Sequence, residues 1–156
     1  MNPSVLILIR RGEARAKCTI RPLRGTPGLD FRSYPLREQV DLSRHRLLAP
    51  DAPPLTMADG DCPLLLLDAS WRQAEKMRRA VGPMECRAIP SGWQTAYPRR
   101  SKTHEDPGRG LATVEALYAA FCTLGRRDDR LLAFYPWKDV FLALNAALLP
   151  AESMFS

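Results

Sequence analysis

The residues best suited to chemistry in this chain stand in "PLLLLDASWRQAEKM", residues 63–77, where four leucines run directly into Asp68, Ala69, Ser70 and Trp71. A continuous apolar run marks a strand covered on both faces, and Asp68 stands at its exit. In a parallel α/β sheet that exit is the ligand-binding edge, where a carboxylate can accept a proton or attract a cation. The plainer alternative is an acid that caps a turn. A second cluster lies in "CRAIPSGWQTAYPRRSKTHEDPGRGL", residues 86–111, which mixes Trp93 and Tyr97 with Arg99, Arg100, Lys102 and Arg109. Such aromatics can stack on bases while the cations pair with phosphates; the alternative is a surface loop whose aromatics pack inward.

Periodicity shows which elements must position these groups. Trp71, Ala74, Met77 and Val81 fall at helical spacing, with Arg72, Gln73, Glu75, Lys76, Arg78 and Arg79 filling the other face. Ser70 followed three residues later by Gln73 is a capping-box pattern, so the helix is expected to begin at Ser70. Trp71 then heads the apolar stripe, either as core or as a ring at the helix entrance that covers a ligand or faces a cation. A second helix is expected from near Ala112, presenting Val114, Leu117, Tyr118, Phe121 and Leu124 and ending at Gly125. A third follows Pro136, with Trp137, Val140, Phe141, Leu144 and Leu148 on one stripe. Both stripes are expected to be core.

Strands are expected at residues 5–9, 31–34, 46–49 and 64–67, with a short one ending at Pro90. The proline- and glycine-containing stretches "RPLRGTPGL" and "APDAPPLTMADGDCP" are expected to be loops. Together the pattern is α/β.

Composition narrows the classes. At 156 residues, 46% hydrophobic, the chain is expected to form a single domain over 1–156. Its net charge of +6, carried mostly by Arg, points to an anionic partner, with RNA first. Cys18, Cys62, Cys86 and Cys122 stand singly, with His45 and His104 beside none of them, so neither a metal site nor a disulfide framework is indicated. The "VLILI" run is too short for a signal-peptide core, and no segment approaches the roughly 18 apolar residues that span a bilayer. The expectation is a reduced, cytoplasmic protein with no membrane partner.

Four stretches, "LLDASWRQAEKM", "RAIPSGWQTAYP", "LATVEALYAAFCTLG" and "FYPWKDVFLALN", together resemble in order the superfamily of RNA aminocarboxypropyltransferases. That superfamily includes the DTW-domain enzymes of tRNA and the ribosome-biogenesis enzymes of small-subunit rRNA. Its hallmarks are an Asp-x-Ser/Thr-Trp element, matched by residues 68–71, and a Leu-Ser-Thr-Val-Glu-Ala element, matched by 111–116 apart from Ala112. "AKCTIRPLRG" also looks like the Lys-Cys-Ser/Thr stretch of the rRNA branch.

The resemblance implies a SPOUT-like α/β fold, a mostly parallel sheet flanked by helices, with a C-terminal trefoil knot that holds S-adenosylmethionine. It implies transfer of the 3-amino-3-carboxypropyl group to N3 of a uridine or modified (pseudo)uridine in structured RNA, with rRNA ahead of tRNA. Asp68 would be catalytic, as the base for N3 or as the charge that attracts the sulfonium. Thr19, Leu48, Asp68, Trp71 and Ile89 would line the cofactor pocket. Leu111, Ala112, Thr113 and Ala116 would set helix-start amides near the methionine carboxylate. RNA is expected to meet Arg72, Lys76, Trp93, Arg99, Arg100, Lys102 and Arg109. Two other readings stand beside this one: a SPOUT-type RNA methyltransferase using the same cofactor, and an RNA-binding protein that has lost the chemistry.

Some residues depart from the family pattern. Ala112 replaces the usual Ser, so the capping box with Glu115 is expected to be lost and the helix start held some other way. Ala69 replaces the Cys, Gly or Thr more usual there, and the cysteine-rich N-terminus of many DTW enzymes is missing. "FYPWKDVFLALN" is nearer the rRNA branch, whereas "WRQAEKM" and "RRSKTHEDPGRG" are nearer the tRNA branch.

Overall fold

The computed structural model describes residues 4–10, 19–98 and 110–150. Five strands, β1 (Val5–Arg10), β2 (Leu29–Tyr34), β3 (Arg46–Leu48), β4 (Leu64–Asp68) and β5 (Cys86–Arg87), form one sheet in the order β2-β1-β4-β3-β5. Every pairing is parallel, and in register Val5 faces Leu64 and Ile9 faces Asp68. The leucine run forms a central strand because its side chains have apolar cover on both sides. Leu64 and Leu66 enter a cluster with Val5, Ile7 and Ile9, while Leu65 enters another with Leu6, Leu8 and Leu47.

Three α-helices flank the sheet: α1 (Trp71–Val81), α2 (Thr113–Thr123) and α3 (Lys138–Leu144). Met77 of α1 is buried in the Leu6–Leu8 cluster, whereas Val114, Leu117, Tyr118 and Phe121 of α2 are buried in the Val5–Ile9 cluster, so α1 and α2 cover opposite faces. The connections leaving β1 and β4 run to opposite edges of the sheet, one to β2 and the other to β5. Adjacent parallel strands that part in this way open a crevice at their carboxyl ends. Asp68 ends β4 at that crevice.

Helix boundaries follow local chemistry. Ser70 caps α1 by accepting a 3.4 Å hydrogen bond from the Gln73 amide. At the far end of α2, Gly125 takes φ +75°, with its amide on the Cys122 carbonyl (3.0 Å) and that of Arg126 on Phe121 (2.8 Å). This paired closure needs a left-handed residue, which glycine supplies without a Cβ penalty.

Three expectations are corrected. The two segments expected to be loops contain single 3-10 turns, Arg21–Leu23 and Met57–Asp59, the latter held by a Thr56–Asp59 capping box. β2 begins two residues earlier than expected, at Leu29. The stripe on the third helix is not core throughout. α3 spans only two turns and turns Phe141 inward, leaving Val140, Leu144 and the following Leu148 at 52%, 45% and 41% exposure. None of the helices among the described residues is long and apolar enough to cross a membrane.

Candidate active site

Asp68 is 7% exposed and points to the side of the sheet that α2 covers. Thr113, the first residue of α2, donates its hydroxyl to Asp68 Oδ1 at 2.7 Å. The end of β4 and the start of α2 therefore meet at one carboxylate. A helix N-terminus carries partial positive charge and amides with no partner inside the helix, so this is a favourable place for an anion.

The start of α2 is built without a capping side chain of its own. Ala112 occupies the cap and supplies no acceptor. Thr19, remote in sequence, accepts a hydrogen bond from the Val114 amide at 3.1 Å through its hydroxyl. That is the second helical amide, which a capping serine would otherwise satisfy. The other half of the box survives, because Glu115 Oε1 accepts from the Ala112 amide at 2.8 Å. The expected loss of the box is thus corrected to a box with one half moved onto Thr19.

Glu115 does more than cap. It is fully buried and accepts three further hydrogen bonds: from the Thr95 hydroxyl (2.6 Å), the Ala96 amide (2.9 Å) and the Tyr135 hydroxyl (2.8 Å). A buried carboxylate is tolerable only when its oxygens are so occupied. One residue thereby ties α2 to the 95–96 segment and to the approach to α3. Asn145 adds a second tie: it accepts from the Gln94 amide (2.7 Å) and donates to the carbonyls of Gln94 (2.9 Å) and Phe141 (2.8 Å). Both ties escape sequence reading, since their partners lie far along the chain. The position of Glu115 three residues after a helix cap was the only signal.

Other predicted cofactor residues stand on the elements around this edge. Leu48 ends β3, Ile89 follows β5 and Leu111 precedes α2, all three half-buried against the core cluster that contains α2. Ala112 is buried, and Ala116 lies half-buried in the first turn of α2. The Trp71 side chain lies outside the described residues, so only the backbone place of Trp71, opening α1, is described.

Of the predicted RNA contacts, Arg72 and Lys76 are exposed on α1. Trp93 is half-buried: its ring stacks on Phe141 at 5.9 Å and makes a T-shaped contact with Tyr118 at 6.4 Å, so one side of it packs inward. Tyr97 likewise packs edge-on against Trp137 at 5.4 Å. The apolar faces of Tyr118 and Phe141 claim the Trp93 ring, and Glu115 and Asn145 draw its neighbouring backbone inward. Arg99, Arg100, Lys102 and Arg109 lie outside the described residues.

Farther along α2 the chemistry is structural. Asp129 accepts from Tyr118 (2.6 Å) and, bidentately, from Arg127 (2.9 and 3.0 Å), which holds its carboxyl below the usual range. Burial pushes the Cys122 thiol up to about 11, so it is a poor nucleophile near neutrality. Cys62, Cys86 and Cys122 are free thiols, and among the described residues no group of three or more metal-ligating side chains assembles. Two cavities, of about 250 Å³ along Arg32–Glu38 and about 380 Å³ beside the end of α1, are not lined by Asp68.

No protein-family model and no curated protein sequence matches the chain. Among solved structures it is similar to the SAM-dependent rRNA:acp-transferase Tsr3 from Vulcanisaeta distributa. The two are 26% identical and superpose with a TM-score of 0.72, the match covering 94% of this chain and 80% of that one.

Proposed function

We propose that this chain is an RNA aminocarboxypropyltransferase that moves the 3-amino-3-carboxypropyl group of S-adenosylmethionine to N3 of a uridine or pseudouridine derivative in rRNA. The similarity to Tsr3 over nearly the whole chain carries the reading. The edge between β4 and α2 is its chemical support.

The residues suit such a co-substrate. An amino-acid end needs amides for its carboxylate, a sulfonium favours a nearby carboxylate, and a thioether and adenine need apolar walls. The first turn of α2, Asp68, and the half-buried Leu48, Ile89 and Leu111 provide these in one region. When bound, S-adenosylmethionine supplies a sulfonium whose adjacent methylene carbon is open to in-line displacement: the carbon–sulfur bond would break as the N3–carbon bond forms, with methylthioadenosine leaving. The protein's tasks are then to hold the nucleophile in line, exclude water and remove the N3 proton. In this reading Asp68 accepts that proton, with Thr113 fixing the carboxylate through Oδ1. Thr19 keeps the α2 amides in place by completing the helix cap. A SPOUT-like fold with a C-terminal trefoil knot belongs to the same reading.

The test uses two labelled forms of the co-substrate with bulk rRNA. Label in the carboxyl group should become RNA-bound while label in the methyl group should not. Methyl label in the RNA would make the chain a methyltransferase, and transfer of neither label would favour a binding role alone.

A further inference from the structure

The outer face of α1 carries three cations in line. At about 100° per residue, Arg72, Lys76 and Arg79 fall within roughly 60° of arc, away from the buried Met77. All three are exposed. Lys76 and Arg79 enter no ion pair among the described residues, and the one acid of the helix, Glu75, pairs instead with Arg78 at 3.8 Å. The charges of Lys76 and Arg79 are therefore not offset by an acid of their own helix. Spacings of four and three residues set neighbouring Cβ atoms about 5–6 Å apart, a step that lets successive cations meet successive phosphates.

The stripe also leads somewhere. It starts four residues after Asp68 and ends at Arg79, which lines the cavity of about 380 Å³ together with Leu47, Glu75, Arg78, Met84 and Cys86. Pro83 and Met84 offer apolar surface, while Arg78 and Glu75, 3.8 Å apart, offer a donor and an acceptor. A nucleobase, apolar on its faces and polar at its edges, matches that mixture.

We infer that α1 is a track for the RNA sugar-phosphate backbone, and that the cavity at its far end receives the base of a nucleotide more than one position along the strand from the one that reacts. The inference rests on the proposed function for its partner, RNA. With 11 residues, α1 is about 16 Å long, so this subsite lies more than one nucleotide from Asp68. An acidic protein surface could use the cations but would leave the cavity without a role.

The test titrates the full chain with a short, fluorescently labelled, single-stranded uridine-rich RNA over a series of salt concentrations. Lys76→Gln and Arg79→Gln should each flatten the log–log salt slope by about 0.7, and the double variant by the sum of the two. Unchanged slopes would overturn the track. The same RNA carrying 4-thiouridine should photo-cross-link within residues 82–86; cross-links only elsewhere would overturn the subsite. Equal binding of a polyglutamate peptide, weakened equally by the substitutions, would assign the face to an acidic protein and overturn the inference. S-adenosylmethionine affinity, measured without RNA, should be the same in all variants. If the wild-type chain bound none, the proposed function would fail while the salt slopes still decided the track.

Discussion

Two acids stand at the N-terminus of the same helix, both withdrawn from solvent, and their surroundings differ. Glu115 is fully buried among four donors, drawn from its own cap, the 95–96 segment and Tyr135. Asp68 arrives from the sheet, accepts from Thr113, and ends the strand at the crevice where β1 and β4 part. A carboxylate saturated by structural donors has no lone pair left for chemistry and serves as a bolt. One delivered by a buried strand to a ligand-binding edge can act on what binds there. The comparison predicts that removing Glu115 damages the fold, whereas altering Asp68 damages the reaction.

The largest stability effect is expected from Glu115→Ala, which leaves two hydroxyls and two amides without their acceptor. Urea unfolding should show a loss of about 3–5 kcal/mol. A loss below about 1 kcal/mol would mean that Glu115 is not the bolt. Asn145→Ala comes next, at about 2–3 kcal/mol, because it strands both polar groups of the Gln94 backbone. Hydrogen exchange should then rise at the Gln94 amide before it rises in β1. The smallest change, Thr19→Val, removes the remote cap of Val114 and should cost about 1 kcal/mol, with Thr19→Ser restoring it. If valine and serine behaved alike, the hydroxyl would not be the cap.

How much of this was legible in the sequence divides along the same line. The strand that delivers Asp68, read as 64–67 and found one residue longer, and the helix capped by Ser70 follow from an unbroken apolar run, a change of period and a Ser–Gln spacing, all local signals. Local patterns also marked the end of α2 at Gly125. Contacts between distant segments left no such mark. Thr19 reaches Val114 across 95 residues, Glu115 meets Thr95 across 20, and Asn145 meets Gln94 across 51. The inward turn of Trp93 has the same origin, since its partners Phe141 and Tyr118 come from other elements. The third helix misled in the opposite way: a long apolar stripe was there to be read, yet only its first half, Trp137 and Phe141, packs against the core, while Val140, Leu144 and Leu148 stay exposed.

The most direct test of the central claim is Asp68→Asn, assayed for both stability and transfer. Asparagine retains an oxygen for the Thr113 hydroxyl but cannot take a proton from N3, so the variant should still unfold cooperatively while losing the reaction. Transfer of carboxyl-labelled aminocarboxypropyl group to rRNA should fall by about 10²–10⁴-fold. Full transfer by a correctly folded Asp68→Asn protein would contradict the account.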